Sequence, residues 1–397
     1  MTSKLAAMDL FAGCGGLSFG LQSAGIDVKW ANERDSSAAA TYSAWDPSVK
    51  IEVEDVAEYY IRMRDGDKKL PSMGEVDLLA GGPPCQGFSG YNRHRNPKDK
   101  RNSLVEVFLD FVVHLKPRFI LMENVPGILS LDKGKVIKLL LASLESIGYQ
   151  AQLGILQAGH YGLPQNRWRV FVFAAAKGQL LPSYPLPTHE FPRVTLFGAS
   201  AFRQNVVKLN SEGADLFCSP LPTVTVGEAI SDLPEINNGG GSTEMEYDER
   251  ALSEFQKRMR ENSNILSDHR CKSLGELMLE RCKAVPKRPG AGWLDLPQQL
   301  KPNNLLRHGD ERYPNRFGRL HWAGTFNTIL TKPEPYWSRL FHPEQDRVLS
   351  IRECARAQGI PDAVRFAGGM TSAYMQVGNA VPPPLAKAIA EEFIKVV

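Results

Sequence analysis

The sequence Leu5-Ala6-Ala7-Met8-Asp9-Leu10-Phe11-Ala12-Gly13-Cys14-Gly15-Gly16 decides the fold class of this chain. Leu5–Phe11 is an apolar run with the length of a buried strand, and the glycines after it predict a tight turn. Apolar residues then recur at helical spacing from Leu17 to Gly25. A strand, a glycine turn and a helix together hold a nucleotide-like cofactor against backbone amides. Ser18 stands where the third glycine of the dinucleotide pattern would be, so this turn alone does not choose between cofactors.

Two further apolar runs lead into acidic residues. Val28–Ala31 is followed by Asn32-Glu33, about 20 residues after the glycines, where a carboxylate accepts hydrogen bonds from ribose hydroxyls. Glu52–Val56 closes a third unit, in which Asp55 is placed to meet an adenine amino group. Each residue alone is more often a surface carboxylate, but in series they indicate one adenosine-containing ligand. Repeated strand–helix units of this kind are typical of an α/β fold with a doubly wound, mostly parallel sheet.

A rigid corner presents the candidate nucleophile. Gly81-Gly82-Pro83-Pro84-Cys85-Gln86-Gly87-Phe88-Ser89-Gly90 follows the apolar run Val76–Ala80. Each proline fixes φ and lacks an N–H, so the strand must end there, and Cys85 is the first residue beyond. A thiol at the mouth of a parallel-sheet crevice has the position that a nucleophile needs. A lone cysteine at a strand end is more often structural, but the Pro-Pro-Cys-Gln context favours the nucleophile.

Two further stretches supply candidate partners for this thiol. Phe119–Met122 predicts a buried strand that leads into Glu123, and the Pro126-Gly127 turn restrains this carboxylate, which makes it a candidate acid. Alternation places Arg167 and Arg169 on one face of a strand, able to serve a phosphate and a base together. Without further context, an exposed basic edge is an equally good interpretation of the two arginines.

The net charge of +3 is unevenly distributed along the chain. Residues 91–101 carry a net charge of +4, residues 191–250 of −5 and residues 251–340 of +7. A charge run is usually a solvated face. A basic run that directly follows a candidate nucleophile is better interpreted as a phosphate-contacting loop, which favours a nucleic acid partner.

The composition, with 43% hydrophobic and 23% charged residues, is that of an ordinary soluble protein. We expect no signal peptide, and no apolar run approaches the roughly 18 residues that span a bilayer. The six cysteines form no Cys-x-x-Cys pair, which predicts free thiols in a reducing compartment. His269, Cys271 and Cys282 come nearest to a metal cluster, but their spacing does not fit one, so we expect no metal.

The chain divides into three segments by its composition. We predict a cofactor-binding catalytic domain over 1–188, a loop-rich domain over 189–340, and a return to the catalytic domain over 341–397. The middle segment is rich in Pro, Gly, Asn and Ser and has poor periodicity. Phe326–Leu330 predicts a β-rich piece, and Pro384 is placed in the first turn of a final helix, Leu385–Val396.

Taken together, the motifs resemble those of the C5-cytosine DNA methyltransferase family. The matching segments, in family order, are 9–16, 81–90, 123–125, 165–169, 352–356 and 376–381. They bracket nearly the whole chain apart from its variable middle. Three more stretches, 156–159, 231–235 and 342–345, are most similar to the catalytic domain of the eukaryotic maintenance methyltransferase, with the chromomethylases second.

The resemblance implies a Rossmann-like, S-adenosylmethionine-dependent fold with a target-recognition domain over the middle segment. It implies that Cys85 adds to C6 of a cytosine, while Glu123 protonates N3 and contacts N4. Arg169 would hold the base O2 and Arg167 a phosphate, and the cytosine must leave the duplex to be reached. The residues implied to line the cofactor pocket are Ala12, Gly13, Gly15, Gly16, Leu17, Glu33, Arg34, Asp55, Val56, Asn379 and Val381.

The same resemblance implies double-stranded DNA as substrate, a CpG or related short context, and a monomer that other chromatin proteins recruit. We expect a nuclear protein, with the bacterial cytoplasm as the alternative. Segments expected to be missing are the long N-terminal regulatory half of the maintenance enzyme, a chromodomain-like insertion and a Cys-rich zinc insertion. The loop Glu334–Leu340 is shorter than its CpG-reading counterpart and chemically different. An RNA methyltransferase on the same scaffold and a non-enzymatic chromatin protein are the competing interpretations.

Overall fold

The computed structural model describes residues 4–84, 104–192, 200–208, 219–261, 263–307 and 313–397. The chain forms two compact units. The first contains Met1–Tyr161, Trp168–Pro222 and Val381–Val397, and the second contains Gly162–Arg167 and Thr223–Ala380. Cys85 and the basic run 91–101 lie outside the described residues.

The first unit is organised around one large sheet. Within the described residues its seven strands lie in the order β3-β2-β1-β4-β5-β7-β6. Neighbours from β3 to β5 are parallel, whereas β7 runs antiparallel to both β5 and β6. The strands are β1 (Ala6–Leu10), β2 (Asp27–Asn32), β3 (Lys50–Glu52), β4 (Leu78–Gly81), β5 (Phe119–Asn124), β6 (Tyr149–Gln157) and β7 (Trp168–Ala176). This arrangement confirms the predicted doubly wound, mostly parallel sheet.

Helices connect these strands, as parallel pairing requires. In the first unit they are α1 (Gly16–Ser23), α2 (Ser36–Trp45), α3 (Val56–Arg64), α4 (Leu104–Leu115), α5 (Lys135–Ser146) and α12 (Pro383–Ile394). Helix α4 buries Phe108, Phe111, Val112 and Leu115, which recur at i, i+3, i+4 and i+7 and so form one apolar stripe. Segments of 3₁₀ helix lie at 126–134, 158–161 and 200–205, and non-helical residues interrupt the first at 131–133 and the third at 202.

The last helix of the chain packs on the first. A Cβ at Gly20 of α1 would lie 2.3 Å from the Ala386 Cβ of α12, so only glycine allows this approach. On the same helix, the Phe393 ring meets Phe119 of β5 edge-on, with ring centroids 5.8 Å apart. The prolines Pro383 and Pro384 begin α12, where the missing N–H groups are not needed by the helix.

The second unit has short elements and long loops. Its helices are α6 (Val226–Ile230), α7 (Glu254–Arg260), α8 (Glu276–Ala284), α9 (Asn303–Arg307), α10 (Ile351–Ala357) and α11 (Met370–Asn379). Its strands form two pairs, β8 (Gly241–Glu246) with β9 (Ile265–Arg270) and β10 (Gly318–Arg319) with β11 (Arg339–Phe341). Further 3₁₀ turns lie at 293–295 and 298–300. The assignment of 189–340 to target recognition stays a prediction, and residues 341–380 cluster with this second unit.

The predicted β-rich piece Phe326–Leu330 forms a single bridge, Gln165↔Phe326, rather than a strand. Beyond the bridge, the Ile329 N–H donates to the Gln165 side chain at 2.9 Å instead of to a second backbone. The Gln165 side chain thus takes the place of the backbone partner that a strand would have at Ile329. The apolar pattern of residues 326–330 could not show this, because Gln165 is distant in the sequence.

Buried ion pairs hold the second unit together. Arg356 is fully buried and bonds both Asp362 and Asp232, which are also fully buried. Burial alone would raise the pKa of Asp362, but Arg356 holds it below its usual value. Tyr247 adds a hydroxyl donor to Asp362, and Arg260 adds a guanidinium to Asp232 at 2.8 Å. Each charge therefore has partners, as a buried charge needs.

We expect Asp362→Ala to lower the free energy of unfolding by about 3–5 kcal/mol, because it leaves the buried Arg356 charge short of a partner. The matched control is Glu244→Ala, whose partner Arg365 lies on the surface with both side chains at least half exposed. That change should cost no more than about 1 kcal/mol. Equilibrium urea unfolding followed by circular dichroism measures both, and equal costs would contradict the role of burial.

Candidate active site

The site lies at the carboxyl edge of the parallel sheet in the first unit. Strand order reverses between β1 and β4, since β2 follows on one side and β5 lies on the other. Such a switch point leaves a crevice outside the strand ends, where α/β proteins bind their ligands. The glycine turn Phe11–Gly16 leaves the end of β1, and Gly82-Pro83-Pro84 leaves the end of β4 beside it.

The glycine turn is fixed by two aromatic side chains behind it. Gly15 has φ 87°, and a Cβ there would lie 2.6 Å from the Trp45 ring and 2.8 Å from the Tyr42 ring. The Trp45 indole N–H donates to the Cys14 carbonyl at 3.0 Å. By contrast, a Cβ at Gly13 would meet nothing within 4 Å, so this side of the turn is open. The turn therefore has a supported back and a free front, which fits a bound cofactor.

The loops after β1, β2 and β3 are joined by hydrogen bonds. The Glu33 carboxylate accepts the Gly13 N–H at 2.9 Å and the Asp35 N–H at 2.7 Å. The Ala12 N–H donates to the Asn32 carbonyl at 3.0 Å. Each carboxylate oxygen has two lone pairs, so Glu33 can hold the turn and still accept from ribose hydroxyls. The structure thus brings Ala12, Gly13 and Glu33 together, as the sequence predicts for a nucleoside site.

The other predicted cofactor residues lie at element ends. Gly16 begins α1 with Leu17 buried behind it, and Arg34 is exposed after Glu33. Asp55 caps α3 by accepting the Ala57 N–H at 2.9 Å, and Val56 begins that helix. Asn379 is the exposed last residue of α11 in the second unit, and Val381 precedes α12 in the first.

A buried ion pair lies at the end of β5. The Glu123 carboxylate bonds the Arg169 Nε at 2.8 Å, and their side chains are 12% and 9% exposed. Burial lowers the pKa of the Arg169 guanidinium, and Glu123 opposes that shift. A Cβ at Gly82 would lie 3.1 Å from Glu123 Oε2, so the corner after β4 passes close to this carboxylate. A planar donor and a carboxylate beside each other can contact both polar edges of a pyrimidine base.

Asn124, which lies within the matching segment 123–125, joins this pair to the Pro-Pro corner. Its side-chain amide donates to the Pro83 carbonyl at 3.0 Å, and its Oδ1 accepts the Val125 N–H at 2.9 Å. The carbonyl two residues before Cys85 is therefore tied to the strand end that carries Glu123. The position of Asn124 directly after Glu123 in the sequence is the signal that could have identified it as a site residue.

Arg167 differs from its prediction. Strand β7 begins only at Trp168, so Arg167 and Arg169 do not share a strand face. The Arg167 side chain is 1% exposed and donates to the carbonyls of Ile329, Gly378 and Ala380. A guanidinium buried on backbone carbonyls does not present itself to a phosphate.

The described cysteines are unsuited to nucleophilic work. Cys14, Cys271, Cys282 and Cys354 are buried thiols, and burial raises the pKa of every one of them, that of Cys14 and of Cys282 to about 12. A thiol with a raised pKa stays protonated and unreactive near neutral pH. The predicted nucleophile, Cys85, lies outside the described residues.

The sequence matches one protein family over nearly its whole length. Residues 5–395 match the family described as C-5 cytosine-specific DNA methylase. The chain belongs to this family. The resemblance found in the sequence is thereby confirmed, and S-adenosylmethionine, the predicted cofactor, is the methyl donor of the family.

The methylase chain has curated relatives in plants and animals. It is 40% identical to DNA (cytosine-5)-methyltransferase 1A of Oryza sativa and 37% identical to DNA (cytosine-5)-methyltransferase 1 of Mus musculus. Each match covers 98% of this chain and 28% of the relative. The chain therefore spans less than a third of the length of these relatives.

Solved structures show the same fold. A putative DNA modification methyltransferase encoded within an E. coli prophage superposes with a TM-score of 0.69 at 24% identity, over 99% of both chains. The Entamoeba histolytica methyltransferase EhMeth gives a TM-score of 0.51 at 15% identity, over 100% of both chains.

The described residues hold no group of His, Cys, Asp and Glu that could bind a metal ion. Among them, none of the helices has the length and apolarity that crossing a bilayer demands.

Asp9 lies beneath the glycine turn and was not among the predicted site residues. It is 1% exposed, and its Oδ2 accepts a hydrogen bond from the Ser18 hydroxyl at 2.6 Å, whereas its Oδ1 has no hydrogen-bond partner among the described residues. Burial raises its pKa to about 7, the Ser18 hydroxyl opposes that shift, and the Glu33 charge adds to it. The buried Tyr42 hydroxyl lies within electrostatic range of Asp9. The turn thus rests on a carboxyl that gains a proton near neutral pH.

We expect Asp9→Asn to remove a pH dependence of stability. The folded protein keeps this proton up to about pH 7, whereas an ordinary aspartate releases it near pH 4. The folded state then binds more protons in that window, so the contribution of Asp9 to the free energy of unfolding falls as the pH rises from 4 to 7, by up to about 1.4 kcal/mol per pH unit.

Urea unfolding at pH 5 and pH 7 measures this difference between the wild type and Asp9→Asn. The control is Asp27→Asn, since the side chain of Asp27 is half exposed. A difference between wild type and Asp9→Asn that is the same at both pH values would contradict the buried proton.

Proposed function

We propose that this chain is a DNA (cytosine-5)-methyltransferase that transfers a methyl group from S-adenosylmethionine to C5 of cytosine in double-stranded DNA. The observation that carries the proposal is the buried Glu123–Arg169 pair beside the Pro-Pro corner that leads into Cys85. Family membership over residues 5–395 supports the same reaction. The names of the curated relatives agree with it.

Cytosine C5 is a poor nucleophile, which defines what the protein must do. The Cys85 thiolate adds to C6, and the electron pair of the C5–C6 double bond moves to C5 to form an enamine. Glu123 supplies a proton to N3 and contacts N4, while the Arg169 guanidinium holds O2. Once C5 carries the methyl group, with S-adenosylhomocysteine as the other product, a base removes the C5 proton and N3 returns its proton to Glu123. The C6–S bond then breaks, the C5–C6 double bond forms again, and the Cys85 thiolate leaves.

The glycine turn provides the cofactor site in this proposal. Glu33 accepts hydrogen bonds from the ribose hydroxyls, and Asp55 and Val56 contact the adenine. Asn379 and Val381 are also proposed to contact the cofactor. The other proposed contacts are Ala12, Gly13, Gly15, Gly16, Leu17 and Arg34. Bound there, S-adenosylmethionine supplies an electrophilic methyl group. A Cβ added at Gly15 would clash with Trp45 and Tyr42 and displace the turn. Glycine at this position therefore lets the turn stay packed against the two rings.

A stacked and paired cytosine exposes neither face of C6, so we propose that the enzyme flips its target base out of the duplex. The net charges of +4 over residues 91–101 and +7 over residues 251–340 suit a DNA backbone. We further propose a monomer that acts in the nucleus on CpG or a related short context and that chromatin proteins recruit. The bacterial cytoplasm is the alternative location.

The central test combines transfer with trapping. Wild-type protein with labelled S-adenosylmethionine should label cytosine C5 in mixed-sequence duplex DNA. On duplex DNA containing 5-fluorocytosine it should form a covalent complex, because fluorine cannot leave as the proton does. Cys85→Ala should lose at least about 10³-fold in transfer and all of the trapping, while its affinities for cofactor and DNA stay unchanged.

Three outcomes would contradict the proposal. Transfer by Cys85→Ala at the wild-type rate would exclude the covalent step. Transfer to tRNA but not to DNA would favour an RNA methyltransferase. Tight DNA binding without any turnover by wild type would favour a non-enzymatic chromatin protein.

Glu123→Gln keeps the size and polarity of the side chain but cannot supply a proton. We expect kcat to fall about 10²- to 10⁴-fold, with duplex affinity changed less than threefold. Single-turnover kinetics and equilibrium DNA binding separate the two effects. A similar loss in kcat and in DNA affinity would indicate that Glu123 only holds the base.

The sequence context is open to one direct experiment. Bisulfite sequencing of randomised duplexes, unmethylated and hemimethylated in parallel, reads both the flanking preference and the preference for maintenance. Methylation spread evenly over all cytosine contexts would exclude the proposed CpG preference.

A further inference from the structure

The end of helix α11 is held by side chains from elsewhere in the second unit. A helix leaves its last four carbonyls without intrahelical partners. Here the Gln358 side chain donates to the Val377 carbonyl at 2.8 Å. One Nη of Arg167 donates to the Gly378 carbonyl at 3.0 Å and to the Ala380 carbonyl at 2.9 Å. Arg167 therefore caps the C-terminus of α11, where a positive charge also meets the negative end of the helix dipole.

Arg167 stands on a fixed support. Its other Nη donates to the Ile329 carbonyl at 3.2 Å. The backbone just before it is bonded in both directions to Phe326, whose N–H donates to the Pro164 carbonyl at 2.7 Å and whose carbonyl accepts the Asn166 N–H at 2.8 Å. A guanidinium that is 1% exposed and held from several sides has little freedom to turn towards solvent.

The neighbouring Gln165 strengthens this support. Its side-chain Nε2 donates to the Ala357 carbonyl at 2.8 Å, and its side-chain Oε1 accepts a hydrogen bond from the Ile329 N–H at 2.9 Å. At the same helix end, a Cβ at Gly378 would lie 2.5 Å from the Leu330 backbone. The last turn of α11 is thus held both by a close backbone contact and by the Arg167 guanidinium.

These contacts isolate one exposed residue. Gly378 and Ala380 are buried with clamped carbonyls, and Asn379 between them is exposed. The peptide group before Asn379 is held at its Gly378 carbonyl, and the one after it is held at the Ala380 N–H, which donates to the Gln376 carbonyl at 3.0 Å. Two peptide groups with fixed orientation determine the φ and ψ angles of the residue between them, and so the direction of its Cα–Cβ bond. Because Arg167 is itself buried, the exposed residue whose position its hydrogen bonds fix is Asn379.

We infer that Arg167 is a positioning residue that sets Asn379 for the cofactor, and that it does not contact a DNA phosphate. The inference rests on the proposed function, in which Asn379 contacts S-adenosylmethionine. A lysine cannot replace the arginine fully, because a single ammonium cannot reproduce the planar fork that spans three carbonyls.

The experiment compares Arg167→Lys, Arg167→Met and Asn379→Ala with Arg365→Met, a control that removes a half-exposed arginine outside the site. Calorimetry without DNA measures the dissociation constant for S-adenosylmethionine. We expect it to rise about tenfold or more for the first three variants and to stay unchanged for the control. Adding Asn379→Ala to Arg167→Lys should raise it little further, because both changes act on one contact.

DNA binding distinguishes positioning from phosphate contact. If Arg167 bound a phosphate, its loss would reduce the slope of log affinity against log salt by about 0.9. We expect the slope to be unchanged and the KM for S-adenosylmethionine to rise more than kcat falls. An unchanged cofactor affinity in Arg167→Lys, or a slope reduced by about 1, would overturn the inference. A wild type that binds no S-adenosylmethionine would instead overturn the proposed function.

A measurement on wild type covers the case in which the variants do not fold. If Arg167 fixes the segment in advance, the amides of Asn379, Ala380 and Val381 should resist hydrogen exchange without cofactor as well as with it. Fast exchange that slows only on cofactor binding would overturn the inference, since the cofactor would then order the segment by itself.

Discussion

The parallel pairing of β1 with β4 is the constraint on which the first unit depends. It brings two non-consecutive strands side by side, so that the glycine turn after Leu10 and the Pro-Pro corner after Gly81 leave the sheet at the same edge. The approach is close, since a Cβ at Gly81 would lie 2.7 Å from the Leu10 carbonyl oxygen. A glycine at that register position allows the Pro-Pro corner and the glycine turn to be neighbours.

From this pairing, the rest of the candidate site follows by short hydrogen bonds. The turn is fixed from behind by Trp45 and from the side by Glu33. The corner is tied by Asn124 to the end of β5. Because β7 begins where β5 ends, Arg169 reaches the Glu123 carboxylate from the next strand. The polar groups of the candidate site are thus held at strand ends, where loops can vary in geometry while the sheet stays rigid.

Local patterns predicted the strands and helices of the first unit well, because apolar periodicity and glycine turns are recorded in consecutive residues. They were less reliable where the partner of a residue is distant in sequence. Phe326–Leu330 has a β-like composition, yet the Gln165 side chain takes one of its ladder positions. The alternation of Arg167 and Arg169 suggested one strand face, but the strand starts between them. In the sequence Asp9 is simply one residue of a strand. Only the structure shows that its carboxyl is buried, that its Oδ1 has no hydrogen-bond partner among the described residues, and that its pKa is raised to about 7.

The sequence by itself determined the fold class, the family and the kinds of residue that can do the chemistry. Those properties depend on spacing along the chain: strand, glycine turn and helix, two prolines before a cysteine, and motifs in a fixed order. The tertiary structure decided which residues are available for each task. Burial placed Arg167 on the carbonyls of a helix end and paired Arg169 with Glu123, although the two arginines are two positions apart and chemically identical. The reason is physical, because the role of a guanidinium depends on the acceptors that surround it after folding. For Arg167 these acceptors come from segments more than 150 residues away, and for Arg169 the acceptor comes from a neighbouring strand.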